Sequence, residues 1–265
     1  MVLPLKSGVL AEPVLVGREH ELEELQVLLN SAVESKGNTV FVSGEAGSGK
    51  TRLITEFLGC LKEDVILLSA WCLSDVAIPY FPFMEAFNTY FSSKDRETKP
   101  TEEDEKTVKA WLVGPKHTDR SERLQNLTPQ GWQDLTIAAV GDALISFSKK
   151  KVVVLFIDDL HWADSASLAL LHYISRFVGS ARVLVLATYR IEELNPDTEG
   201  HMHPLLETLR LMRREGLITE IELPNLSQDN IAAMAEKMVG GCLHPDVAKR
   251  LTTESQGNPL YVVES

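Results

Sequence analysis

Near the start of the chain, the residues Gly44-Glu45-Ala46-Gly47-Ser48-Gly49-Lys50-Thr51 fit the spacing G-x-x-x-x-G-K-[ST]. The preceding Thr39-Val40-Phe41-Val42-Ser43 is apolar and β-branched, as a buried strand is, and Leu53, Ile54, Phe57, Leu58 and Leu61 follow at helical spacing. A strand, a glycine-rich turn and a helix in that order form a loop whose backbone N–H groups turn inward around phosphate oxygens. The helix N-terminus adds partial positive charge at the same point. In this reading Gly44, Glu45, Ala46, Gly47, Ser48, Gly49, Lys50, Thr51 and Arg52 form a triphosphate cradle. Lys50 reaches the β- and γ-phosphates, and Thr51 ligates Mg²⁺.

A second apolar run, Val152 to Ile157, leads directly into Asp158-Asp159. Continuous apolar runs of this kind suit a parallel strand covered on both faces, and α/β sheets place their ligand sites at the carboxyl ends of such strands. Phosphoryl transfer needs one carboxylate near the metal and another group to orient the attacking water. Asp158 is assigned to the metal and Asp159 to the water; the alternative is a pair of solvated acids before a turn.

The run Asp158-Asp159-Leu160-His161-Trp162-Ala163-Asp164 resembles the extended Walker B segment of the STAND class of P-loop ATPases, signal-transduction relatives of the AAA+ family. Three further segments carry the same resemblance. Val16-Gly17-Arg18-Glu19 looks like the stretch that lies against the adenine, and Ala187-Thr188-Tyr189-Arg190 looks like the sensor-1 strand with its nucleotide-sensing arginine. Gly257-Asn258-Pro259-Leu260-Tyr261 looks like the motif whose proline packs beside the base. The resemblance implies ATP and Mg²⁺ as ligands, catalytic roles for Lys50, Asp159 and Arg190, and base contacts from Val16, Gly17, Arg18 and Pro259. It also implies assembly through the nucleotide face and attached effector or sensor domains. The alternative for Arg190 is an ordinary surface arginine after a strand, and for Pro259 a helix terminator behind Gly257. His161 and Trp162 are read as packing residues and Asp164 as a helix N-cap.

Composition fits these assignments. With 44% hydrophobic residues in 265, the chain can bury one sizeable α/β core and a small appendage. A formal net charge of −12 gives no bulk attraction for nucleic acid or an anionic membrane surface, so this segment is expected to contact neither directly. Cys60, Cys72 and Cys242 form no C-x-x-C pair and read as reduced thiols, and no apolar stretch reaches membrane-spanning length. The expectation is a cytoplasmic protein.

The order of patterns predicts a three-layer α/β P-loop NTPase fold with a mostly parallel five-stranded sheet. Helices are expected near residues 19–35, 52–61, 83–90, 132–148, 164–178 and 204–215, and strands near 39–43, 65–71, 152–157, 182–188 and 217–223. The polar stretch 92–130, balanced in charge and broken by Pro100, Pro115 and Pro129, reads as a solvated insertion with a short helix near 104–112. After Pro224 only helical patterns remain, capped by Ser227 and running over 227–239 and 245–256. This divides the chain into a nucleotide-binding domain, 1–225, and the beginning of a helical lid, 226–265, in a chain expected to be a fragment.

These readings predict Mg²⁺-dependent ATP binding with slow hydrolysis, used as a conformational switch. A cluster of Arg210, Arg213 and Arg214 is the candidate for an arginine supplied to a neighbouring protomer. The alternatives are an interaction module that holds nucleotide without turnover, and a DNA-handling AAA+ motor.

Overall fold

The computed structural model describes residues 15–62, 64–74, 78–92, 128–196 and 200–264. The expected insertion helix near 104–112 lies outside these residues.

Five strands form one parallel sheet: β1 (Asn38–Gly44), β2 (Val65–Trp71), β3 (Val152–Asp158), β4 (Val183–Arg190) and β5 (Ile218–Glu222), in spatial order β2-β3-β4-β1-β5. Parallel neighbours need crossover helices, and these divide between the two faces. On one face α1 (Glu19–Val33) and α2 (Lys50–Gly59) bury Leu25, Leu29, Leu53, Ile54 and Phe57 against Val40, Val42, Val154 and Leu186. On the other, α3 (Phe81–Ser92), α4 (Pro129–Lys150), α5 (Ser165–Val178) and α6 (Pro204–Arg214) cover Phe41, Val153, Leu155, Ile157 and Val185. Successive residues of β3 therefore enter opposite cores, which is why its sequence is apolar without alternation. The edge strand β2 instead leaves Leu67 and Trp71 exposed.

Helix starts follow local chemistry. Asp164 accepts a hydrogen bond from the Ser167 N–H at 2.9 Å, and Thr128 caps α4 ahead of Pro129 at 3.2 Å. Ser227 caps α7 (Gln228–Val239) through the Asn230 N–H at 3.3 Å. With α8 (Pro245–Ser255) and α9 (Pro259–Glu264), α7 forms a small layer with its own cluster of Leu226, Ile231, Met234, Ala235 and Val262, joined by Val16.

The end of α8 differs from the expected glycine stop. Gln256 itself takes the left-handed conformation at φ 51°, and Gly257 follows at φ 84°. Pro259 is not a terminator: it opens α9, where its missing N–H costs nothing and the Asn258 side chain accepts from the Leu260 N–H at 3.0 Å. On α5, Phe177 is only half-buried, and Val178 takes the deeper place.

Candidate nucleotide-binding site

The parallel sheet brings the carboxyl ends of β1, β3 and β4 side by side, with Gly44 opposite Arg190 in register. β1 feeds the loop 45–49 and then α2, whose first residues are Lys50 and Thr51. β3 delivers Asp158 and Asp159, and β4 delivers Thr188 and Arg190. Residues far apart in sequence meet because β4 lies between β1 and β3.

At the helix N-terminus the Thr51 hydroxyl donates to Asp158 Oδ2 at 3.1 Å. Asp158 also accepts a short hydrogen bond from the Thr188 hydroxyl, whose oxygen accepts the Asp159 N–H at 2.9 Å. Burial pushes the Asp158 carboxyl above its ordinary value, and the Thr188 and Thr51 hydroxyls oppose this. Lys50 is buried, and its ammonium donates to the Gly44 and Glu45 carbonyls at 2.8 Å each; burial lowers its pKa.

Asp159 sits in the left-handed region at φ 53°, uncommon for a residue with a Cβ. Its carboxylate meets Arg190 Nη2 at 3.3 Å, and the Arg190 guanidinium lies 5.2 Å from the centre of the Trp162 ring. His161 is buried with its Nδ1 3.9 Å from Asp159, and neither ring nitrogen has a hydrogen-bond partner.

A cavity of about 260 Å³ joins these groups. One end is charged, with Lys50, Thr51, Arg52, Asp159 and Arg190; the other is apolar, with Val16, Leu226, Met234, Pro259 and Val263. An apolar slot leading to a loop of backbone donors matches a flat base joined to a polyphosphate. The Ser48 hydroxyl is buried in that loop without a partner, a group a ligand oxygen would satisfy. For a metal the donors are one carboxylate and one hydroxyl, and among the described residues no cluster of three ligating side chains exists. That set fits Mg²⁺, which takes few protein ligands and completes its shell with phosphate oxygens and water.

Several sequence-assigned residues serve the loop rather than the cavity wall. Gly44 and Glu45 hold Lys50 through their carbonyls, and the Ala46 carbonyl accepts the Asn258 amide at 2.8 Å. The turn before α9 thus rests on the loop, and a Cβ at Gly47 would lie 2.6 Å from the Asn258 amide oxygen. Arg18 is buried and spends its guanidinium on Glu21 at 3.1 Å, the Ser48 carbonyl at 3.3 Å and the Pro224 carbonyl at 2.5 Å. It lines the cavity as a clamp between the loop and the segment after β5. Gly17, at φ 67°, lies against Asn230 and does not line the cavity. Arg52 pairs with Glu56 at 2.8 Å.

Sequence reasoning gave no role to Thr188, Asn258 or Glu192, whose carboxylate accepts the Ala46 N–H at 2.6 Å. Thr188 and Asn258 were visible inside recognised motifs, and Glu192 carried no spacing signal at all. A larger cavity, about 480 Å³, lies between β4, β5 and α6. It contains the Arg213–Glu220 ion pair and none of the glycine-rich loop, so it is not where this chemistry converges.

This arrangement defines a P-loop nucleoside triphosphatase in which a further strand separates the loop strand from the carboxylate strand. The profile of the AAA ATPase domain matches residues 14–186, and the chain belongs to that family. Nucleotide binding and ATPase-type chemistry are the general properties this membership brings. An uncharacterised protein of Rhizobium meliloti (strain 1021) is 25% identical, the alignment covering 66% of this chain and 18% of that protein. The chain therefore spans less than a fifth of this curated relative.

Among solved structures, the fold is similar to a Walker-type ATPase of Pyrococcus abyssi (TM-score 0.55, 15% identity, 94% of this chain and 66% of that one). It is also similar to a STAND protein with a tetratricopeptide repeat sensor from Pyrococcus horikoshii (TM-score 0.52, 16% identity, 95% and 30%). A third is the Aeropyrum pernix ORC1 protein in complex with DNA (TM-score 0.52, 17% identity, 96% and 59%). At these identities the likeness is one of fold.

Proposed function

We propose that this chain is the ATP-dependent switch module of a larger signalling or regulatory protein of the STAND class, binding Mg·ATP and hydrolysing it slowly. The observation that carries the reading is the meeting of Thr51 and Asp158 at the N-terminus of α2, with Asp159 and Arg190 beside them. Thr51 and Asp158 hold the metal, which when bound neutralises charge on the β/γ oxygens. Lys50 leaves its two carbonyl partners for the phosphates. Arg190 exchanges Asp159 for the γ-phosphate, freeing that carboxylate to orient the attacking water. Val16 and Pro259 flank the base.

The division into a nucleotide-binding domain, 1–225, and a lid, 226–265, is part of the proposal, supported by the separate core of α7–α9. The sequence motifs and the fold likeness to the STAND protein support attached sensor or effector domains and homo-oligomerisation through the nucleotide face. Arg213 is a poor trans-acting arginine because two hydrogen bonds of 2.6 Å tie it to Glu220. Exposed Arg214 is the better candidate.

A cytoplasmic setting is proposed; among the described residues no helix is long and apolar enough to cross a membrane. The net charge of −12 supports a module that does not itself take DNA, although the ORC1 relative is seen with DNA.

Single-turnover hydrolysis of Mg·ATP, with binding measured on the same samples, tests the reading. Lys50→Ala is expected to lose binding. Asp159→Asn should keep binding and slow turnover about 10²- to 10⁴-fold. Tight binding with no turnover in the parent chain would favour a nucleotide-stabilised interaction module, a reading to which the Asp159–Arg190 pairing lends weight. DNA-stimulated turnover at physiological salt would favour the motor.

A further inference from the structure

The register that sets Gly44 opposite Arg190 has an effect beyond the strands, because the chain leaving β4 must run beside the first half of the glycine-rich loop. It does so as a single 3₁₀ turn, Glu192–Leu194, anchored by the buried Leu194 side chain and by the Asn195 amide, which donates to the Glu192 carbonyl at 2.8 Å. That turn delivers the Glu192 carboxylate to the Ala46 N–H at 2.6 Å. A loop of this kind offers such backbone donors to phosphate oxygens. Here one of them is already taken by an anion belonging to the chain. The neighbouring charges are committed in the same way: Lys50 to two loop carbonyls, and Arg190 to Asp159.

The position of this contact along the phosphate chain matters. In the nucleotide-binding reading, the N–H groups that open α2 face the inner phosphates. The ends of β3 and β4, with Asp159 and Arg190, mark the outer one, where water attacks. Glu192 follows Arg190 by two residues and therefore lies on the outer side.

We propose that Glu192 is a specificity-determining residue of the nucleotide site: its carboxylate holds the Ala46 N–H that the terminal phosphate needs, and so sets the ratio of triphosphate to diphosphate affinity. This rests on the nucleotide-binding reading and adds a residue to it. Two anions cannot share one N–H donor, and a carboxylate beside a γ-phosphate is repelled by it. A triphosphate must therefore evict Glu192, whereas a diphosphate leaves it in place.

Fluorescent N-methylanthraniloyl derivatives of ATP and ADP, titrated with Mg²⁺ into the parent chain and into Glu192→Ala, Glu192→Gln, Glu193→Ala and Lys50→Ala, test this. Removing a charge-assisted but solvent-exposed competitor is expected to tighten triphosphate binding about three- to tenfold in Glu192→Ala. Diphosphate affinity should change less than about twofold, within the range of surface substitutions. Glu192→Gln should move the same way by less, and Glu193→Ala should change neither ligand. Weaker triphosphate binding in Glu192→Ala would overturn the proposal by making the carboxylate a partner of bound nucleotide. Equal tightening of both ligands, or no change in either, would overturn it as well. If the parent chain and Lys50→Ala bind neither ligand, the nucleotide reading falls and this proposal with it. A parent that binds both and ignores Glu192→Ala overturns the Glu192 role alone.

Discussion

Asp158 is held by hydroxyls from two elements, Thr51 on α2 and Thr188 on β4. Thr188 also fixes the Asp159 backbone, so one side chain orients both acids. Thr188→Val keeps the shape and removes both contacts. Loss of such orienting partners typically costs about 10- to 100-fold in metal affinity or activity, and that is the loss expected in Mg²⁺-dependent ATP turnover, with Thr188→Ser restoring most of it. His161 poses a separate cost, since its buried ring has no partner at either nitrogen. Burial lowers its pKa, so the unfolded chain takes up a proton near its ordinary value of 6.5 while the folded chain does not. Stability is therefore full above that pH and falls as pH drops through the lowered folded value. His161→Phe is expected to raise nucleotide-free stability by about 1–3 kcal/mol and to flatten this acid-side slope in denaturant melts at several pH values.

Gly17, just ahead of α1, lies against Asn230 of α7: its φ of 67° turns the chain, and a Cβ there would lie 2.1 Å from the Asn230 amide nitrogen. Gly17→Ala is expected to lower stability by at least about 1–2 kcal/mol from the backbone alone, and to weaken nucleotide binding by shifting α7. Thermal melts and titrations on the same variant check both. Elements of this kind were largely legible in the sequence, because periodicity and caps are local. β2 matched residue for residue, and Ser227 and Asp164 cap the helices assigned to them. The meeting of the loop, Lys50, Thr51 and Asp158 at one end of the sheet was also legible, because motif spacing and strand ends are local signals. Glu192 on Ala46, Asn258 on the loop and the clamp made by Arg18 were not. Each depends on strand register or on how two distant segments dock, and neither leaves a trace in local pattern. The unpartnered state of the His161 ring was hidden for the same reason.

On the scale of the molecule, Arg18 ties the start of α1 to the glycine-rich loop and to the segment that follows β5, through Glu21, the Ser48 carbonyl and the Pro224 carbonyl. Arg18→Met would leave Glu21 near-buried without its partner, at a cost of up to about 3–5 kcal/mol. Adding Glu21→Gln should recover part of it, which chemical denaturation of the single and double variants would measure. Val16, ahead of the first helix, packs in the same cluster as Val262, near the far end of the described chain. On a ribosome the glycine-rich loop emerges long before Pro259 and Val262. A nascent chain can thus hold its sheet together before Val262 is there to meet Val16, and the cavity is walled only after that.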